Sequence, residues 1–85
     1  MTWSIQVTGP AQKDLRRLPS KDQARVKTAL LAMQDDPFSG DIARLKAQTT
    51  AWRRRVGNYR ILFDVYPEQL LVVVSAISRR TSTTY

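Results

Sequence analysis

Apolar residues occur at every second position in one segment of the second half of the chain, YRILFDVY at residues 59–66. Successive side chains of a β-strand point to opposite faces, so this spacing predicts a strand with one apolar face. That face would hold Tyr59, Ile61, Phe63 and Val65. A strand of this kind is stable only when another layer covers its apolar face, so the chain must supply helices or a second sheet.

Three more segments have the period of a strand. Residues 2–8 alternate polar and apolar side chains, and residues 51–57 and 70–78 flank the first strand across the turn sequences GN and PEQ. On the last strand, the side chains predicted to face the covering layer are Leu70, Val72, Val74 and Ala76. Those predicted to face the other way are Leu71, Val73, Ser75 and Ile77.

The segment that follows the predicted strand at residues 2–8 has helical spacing. Ala11, Leu15 and Leu18 recur at the interval that places side chains on one face of a helix. Pro10 suits the first turn of this helix, and Pro19 stops it.

A second predicted helix starts at a capping box, with Ser20 as N-cap and Gln23 three residues later. It ends near Asp36, because Pro37 disfavours helical geometry in the residue before it. Residues 37–50 are predicted to form a loop with at most one weak turn. The predicted fold class is α+β, with two N-terminal helices packed on one face of a twisted, mainly antiparallel four-stranded sheet, in the order β-α-α-β-β-β. With 85 residues, the chain forms a single domain.

The chain is strongly basic, with 14 Lys and Arg against seven Asp and Glu and a formal net charge of +7. The excess belongs to one half. Residues 1–43 carry six basic and five acidic side chains, whereas residues 44–85 carry eight basic and two acidic ones. A local excess of this size favours an anionic partner such as nucleic acid.

Several site types are excluded because the chain has no cysteine and no histidine. Disulfides, cysteine-based zinc sites and catalytic sites of the Ser–His–Asp or Cys–His kind are impossible. Asp35, Asp36 and Asp41 are interpreted as a solvated acidic turn, so we expect neither a metal nor another cofactor. The sequence shows no signal-peptide pattern and no apolar run long enough for a membrane helix, so we expect a cytoplasmic protein with no membrane partner.

Four arginines lie within eight positions in the segment AWRRRVGNYRILFDV, residues 51–65. Alternation places Arg53 and Arg55 on one face of their strand, together with Arg60 of the next strand. Arg54 points the other way and is interpreted as structural or partner-facing. Charges on strands often serve only to suppress aggregation. Several cations on one sheet face repel one another, however, so their convergence favours an anion-binding site.

Four segments of the chain resemble, in order and spacing, the RelE family of bacterial toxins in the RelE/ParE superfamily: VTGPAQKDLRRLP, DDPFSG…RLKAQ, AWRRRVGNYRILFDV and LLVVVSAISRRTSTTY. These toxins are the mRNA-cleaving members of toxin–antitoxin pairs. The resemblance implies a compact fold of two helices on a sheet and ribosome-dependent cleavage of mRNA in the A site. It also implies a cognate antitoxin protein as partner and contacts to 16S rRNA on the ribosome.

The family's catalytic residues are basic, together with a tyrosine near the C-terminus. The resemblance assigns them to Arg53, Arg55, Arg60, Arg79 and Tyr85, with Arg80 as the alternative to Arg79. Further RNA contacts are assigned to Trp52, Lys46 and Arg80. Tyr59 is expected in the core, because alternation turns it toward the helices.

Arginine stays cationic and can hold two phosphate oxygens, and for the same reason it is a poor base. Tyr85 is therefore the base that we assign among these residues, since nearby positive charge lowers the pKa of a tyrosine from its ordinary value near 10. Two other interpretations stay open. The chain could be a ParE-like toxin that inhibits DNA gyrase without nuclease activity, or a basic module that only binds nucleic acid.

Overall fold

The structure is a computed structural model that describes residues 2–46 and 50–79. The elements of these residues are, in chain order, β1 (Ser4–Val7), α1 (Gly9–Arg16), α2 (Ser20–Asp35), β2 (Ile42–Arg44), β3 (Trp52–Val56), β4 (Tyr59–Tyr66), a 3₁₀ turn (Pro67–Gln69) and β5 (Leu71–Arg79). The predicted α+β fold class is confirmed, with one strand more than expected. Neither helix of the described residues is long and apolar enough to cross a membrane.

The five strands form one sheet in the order β1-β5-β4-β3-β2. β1 runs parallel to β5, from Ser4 opposite Leu71 to Val7 opposite Val74. The other three neighbouring pairs are antiparallel. The sheet is therefore mixed, and mainly antiparallel as the sequence predicts.

The core lies between the two helices and one face of the sheet. Its buried side chains come from both layers: Ala11, Val26, Ala29, Met33, Ile61, Phe63, Val72, Val74 and Ile77. On β4, Ile61 and Phe63 are fully buried, and Val65 packs against the same cluster. The apolar face predicted for this strand is thus the face that the helices cover.

β2 is a strand where the sequence predicts a loop. It has only three residues and pairs antiparallel with β3, Ile42 lying opposite Arg54 and Arg44 opposite Trp52. Three residues are too few to display a period of two, so the pattern of the segment gives no signal. The strand forms through its pairing with β3, a non-local contact that the pattern of the segment does not contain. The prediction of four strands was wrong for this reason.

A β-bulge in β5 reverses the alternation of its side chains. Val74 and Ala76 lie opposite consecutive residues of β4, so Ser75 is the extra residue. Beyond it Ile77 is buried, at 4% exposure, and Ala76 is only half-buried. The predicted faces of these two residues were wrong, because the prediction assumed unbroken alternation. Leu70, predicted to lie in the strand, instead has φ +49 and precedes it.

The capping box predicted for α2 does not form. Pro19 occupies the N-cap position in an extended conformation, Ser20 is already helical, and no side-chain hydrogen bond caps the helix. The Pro19 carbonyl accepts from the backbone N–H groups of Asp22 and Gln23, both at 2.9 Å. The Gln23 side chain donates instead to the Leu18 carbonyl at 2.8 Å. The helix therefore begins one residue earlier than predicted.

Candidate active site

Three arginines share the sheet face that the helices leave uncovered. In the pairing of β3 with β4, Arg55 lies directly opposite Arg60, and Arg53 lies opposite Leu62. Residues directly opposite in such a pair lie on the same face, with Cβ atoms about 4.5–5.5 Å apart. The face predicted by alternation for these three arginines is therefore the face on which the structure places them.

Asp41 is a carboxylate that lies between two of these arginines. Its Oδ1 is 3.4 Å from Arg53 Nη1, and its Oδ2 is 3.7 Å from Arg55 Nε. Asp41 directly precedes β2, and its carbonyl accepts a 2.8 Å hydrogen bond from the backbone N–H of Arg55. The sequence interpretation of a solvated acidic turn missed this contact, because only the pairing of β2 with β3 brings residue 41 next to the arginines.

Arg54 and Trp52 lie on the opposite face of β3, toward the helices. Arg54 Nη1 donates to Ser39 Oγ at 3.4 Å, and whether this arginine is structural or partner-facing stays open. The Trp52 ring meets Phe38 edge-on, with 5.2 Å between ring centroids, and the guanidinium of Arg44 lies 5.6 Å from its centroid. The structure does not bring Trp52 to the three arginines, so its assignment as an RNA contact stays a prediction without geometric support.

Arg79 also lies on the helix side of the sheet. It is the last residue of β5 and pairs with Tyr59, whereas Ser78 is the residue opposite Arg60. The bulge at Ser75 produces this placement, since one extra residue moves every later side chain to the other face. A catalytic role for Arg79 stays a prediction.

Three of the assigned residues have no defined place at the site. Lys46 is exposed in the loop between β2 and β3. Arg80 and Tyr85 lie outside the described residues. The predicted base and the alternative to Arg79 are therefore untested by the geometry.

Tyr59 is a core residue, as alternation predicts, and only 6% of it is exposed. Its hydroxyl donates a 2.8 Å hydrogen bond to Asp22 Oδ2 and so ties β4 to α2. This hydrogen bond, together with burial, raises the pKa of Tyr59 above its ordinary value, and Arg79 opposes the shift. Tyr59 is held as a neutral structural phenol.

The open face, the side of the sheet that the helices leave uncovered, carries the guanidinium groups of Arg53, Arg55 and Arg60. Guanidinium groups stay cationic at any physiological pH and can grip two oxygens of one phosphate. Arginines of this kind can stabilise negative charge, and proton transfer would need another group. Within residues 2–46 and 50–79, no three carboxylates come together as a metal site.

Residues 5–83 match the profile of a protein family described as the ParE toxin of type II toxin–antitoxin systems. The chain belongs to this family. The match confirms the resemblance to the RelE/ParE superfamily that the sequence segments indicate, and the protein is a toxin of a type II toxin–antitoxin system.

Relatives of the toxin carry RelE names. This chain is 26% identical over 83 residues to RelE1 of Methanocaldococcus jannaschii, a protein assigned by its name as a toxin. The match covers 94% of this chain and 92% of that one. The chain is similar to the RelBE2 toxin–antitoxin complex of Mycobacterium tuberculosis, with a TM-score of 0.80, 25% identity and coverage of 94% of this chain and 100% of that chain. The RelE–RelB complex of Pyrococcus horikoshii gives a TM-score of 0.83 at 19% identity, covering 98% and 100%. The fold and the toxin class are therefore those of the superfamily.

Proposed function

We propose that the toxin is a ribosome-dependent endoribonuclease that cleaves mRNA in the A site and needs no metal ion. The observation that carries the proposal is the common face of Arg53, Arg55 and Arg60. Three preorganised cations on one face stabilise a transition state that gathers negative charge on phosphorus-bound oxygens. The RelE name of the Methanocaldococcus jannaschii relative supports the same activity.

In the proposed reaction, the 2′-hydroxyl loses its proton to a base and its oxygen attacks the adjacent phosphorus in line. The bond from phosphorus to the 5′-oxygen then breaks, and that oxygen takes up a proton. The products are a 2′,3′-cyclic phosphate and a 5′-hydroxyl. Arg55 and Arg60 hold the scissile phosphate, with Arg53 near the nucleophile. Tyr85 is the proposed base. Arg79 is proposed as proton donor or stabiliser of the leaving oxygen, although its place in β5 is on the helix side of the sheet.

Primer extension on an mRNA in a translating extract tests the proposal. The wild-type toxin should cut in the A site, and Arg55→Ala should cut about 10²–10³-fold more slowly, because it removes one preorganised donor to the phosphate. Arg17→Ala, which removes the same charge from the exposed end of α1, should cut at the wild-type rate. No cleavage by the wild type, or equal rates for both variants, would contradict the proposal. In the same assay, an unchanged rate for Tyr85→Phe would remove Tyr85 as the base.

A second candidate function is inhibition of DNA gyrase without RNA cleavage. The observation in its favour is the family match itself, since that family is described as the ParE toxin. A gyrase supercoiling assay separates the two functions. Inhibition of supercoiling with intact mRNA would establish the ParE-like activity, whereas A-site cuts with normal supercoiling would establish the nuclease.

We propose a cognate antitoxin protein as the toxin's partner and the cytoplasm as its place of action. The relatives in the Mycobacterium tuberculosis and Pyrococcus horikoshii structures are held in complexes with antitoxins. A protein that acts on translating ribosomes must meet them in the cytoplasm. Copurification of the toxin with the product of a neighbouring gene tests the partner, and recovery of the toxin alone under those conditions would contradict it.

A further inference from the structure

The side chain of Asp41 lies between two arginines of the open face. One carboxylate oxygen is 3.4 Å from Arg53 Nη1, and the other is 3.7 Å from Arg55 Nε. A phosphodiester offers two non-bridging oxygens that arginines contact in the same manner. The carboxylate is thus an intramolecular counterpart of the anion that these arginines suit.

We propose that Asp41 is an autoinhibitory residue, which RNA must displace before Arg55 can hold the scissile phosphate and Arg53 can approach the nucleophile. The inference rests on the proposed function, because it takes the anion to be a phosphate of RNA. The carboxylate weakens the binding of any anion that must compete with it for the arginines. A lone phosphate competes poorly with it, whereas an RNA held by further contacts displaces it.

The contacts of Asp41 suit a group that can be displaced. Its side chain is 55% exposed, and that of Arg55 is 40% exposed, so water screens their attraction. Both distances to the arginines are long for charge-assisted hydrogen bonds, which are usually about 2.7–2.9 Å. The pairing is close enough to compete with an incoming anion and too weak to exclude it.

The backbone of Asp41, and not its carboxylate, holds the edge of the sheet. The Asp41 carbonyl accepts from the Arg55 backbone N–H at 2.8 Å, and Arg53 Nη1 also approaches this carbonyl at 3.3 Å. A substitution that keeps the backbone and changes only the side-chain charge therefore leaves the pairing of β2 with β3 in place. Asp41→Asn is such a substitution, because asparagine has the same shape.

The arrangement also argues against Asp41 as the catalytic base. Each of its two oxygens is directed toward a cation, so a proton taken from a 2′-hydroxyl would have to displace one of those contacts. The two roles predict different effects of Asp41→Asn. If Asp41 is autoinhibitory, the variant should bind RNA more tightly; if Asp41 is the base, the variant should lose cleavage.

The test compares Asp41→Asn with Glu68→Gln in the full chain. Both substitutions remove one negative charge, and Glu68 is exposed in the 3₁₀ turn at the other end of β4. The probes are inorganic phosphate, followed by NMR titration of backbone amides, and a single-stranded RNA with 2′-O-methyl groups that block cleavage, followed by fluorescence anisotropy. Asp41→Asn should bind both probes about two- to tenfold more tightly than Glu68→Gln, the range expected for loss of exposed ion pairs.

The salt dependence of RNA binding gives a second readout. Because RNA displaces the carboxylate in the wild type, the same number of phosphates is neutralised in both complexes, so Asp41→Asn should raise log K at each salt concentration and keep the slope of log K against log salt. Glu68→Gln should keep the wild-type slope. Equal or weaker binding by Asp41→Asn, at a wild-type amide spectrum, would overturn the inference, as would lost cleavage with unchanged binding. Tighter phosphate binding by Asp41→Asn in a toxin that cuts no mRNA would support the inference and refute the nuclease function.

Discussion

Gly40→Ala should destabilise the toxin, because the turn that brings Asp41 to the arginines uses a backbone conformation that favours glycine. Gly40 has φ +79, in the left-handed region that favours glycine. A Cβ at this position would lie 2.9 Å from both Cζ and Nη2 of Arg54 and 3.2 Å from its Nε. The guanidinium of Arg54 thus lies flat against the glycine and would have to move in Gly40→Ala.

The expected loss of stability has two parts. A left-handed conformation costs an L-residue roughly 1–2 kcal/mol relative to glycine. Movement of Arg54 also removes its 3.4 Å hydrogen bond to Ser39, which contributes about 0.5–1 kcal/mol. Alanine also lowers the conformational entropy of the unfolded chain relative to glycine, which offsets about 0.5 kcal/mol of this loss. The free energy of unfolding should therefore fall by about 2 kcal/mol, a decrease of about 8–16 °C in Tm for a domain of this size.

Equilibrium urea unfolding measures the change, with Gly9→Ala as the matched control. Gly9 is the first residue of α1, and an added Cβ there meets no atom within 4 Å. Alanine favours the helix more than glycine does, but Pro10 disfavours helical geometry in a preceding residue with a side chain, so Gly9→Ala should change the unfolding free energy only slightly. In an Arg54→Ala background, Gly40→Ala should cost less than in the wild type, because the displaced guanidinium is gone. Equal unfolding free energies for the two alanine variants would refute the reasoning.

Two further predictions concern carboxylates that join the helices to the sheet. Folded Tyr59 has a raised pKa, so above about pH 10 it keeps a proton that the unfolded chain loses, and stability should fall as pH rises. Urea unfolding over a pH series should show this fall reduced in Tyr59→Phe, and the same pH dependence in both proteins would contradict it. Asp14→Ala removes the 3.0 Å acceptor of the Ile77 backbone N–H, and the unfolding free energy should drop by about 1–3 kcal/mol. Asp35→Ala, at the exposed end of α2, should leave it unchanged, so equal losses in the same urea experiment would count against the role of Asp14.

The sequence predicts the faces of β4 well and those of β5 only in part, and the difference has a physical cause. β4 continues directly from a tight turn, and its alternation runs without interruption through Ile61 and Phe63. β5 is apolar on both faces, so its sequence carries no mark of the residue at which the bulge occurs. Ser75 became the extra residue through its pairing in three dimensions, which a single-strand pattern does not contain.

The same distinction separates the predicted part of the site from the missed part. Arg55 and Arg60 lie on neighbouring strands joined by a two-residue turn, so local spacing is enough to place them on one face. Asp41 reaches the site through β2, an edge strand of three residues that pairs with β3. Contacts that depend on a partner strand for their existence are those that the sequence pattern fails to predict.

The parallel pairing of β1 with β5 joins the first strand of the described residues to the last. Thr8 Oγ1 donates to the Ser75 carbonyl at 3.3 Å, a contact that spans 67 positions of sequence. During synthesis, β1 leaves the ribosome long before its partner strand has been made, and pairings between such distant residues form late and slowly. The sheet is complete only when β5 has been made and has left the ribosome. The toxin therefore gains its folded form only after this strand has reached β1.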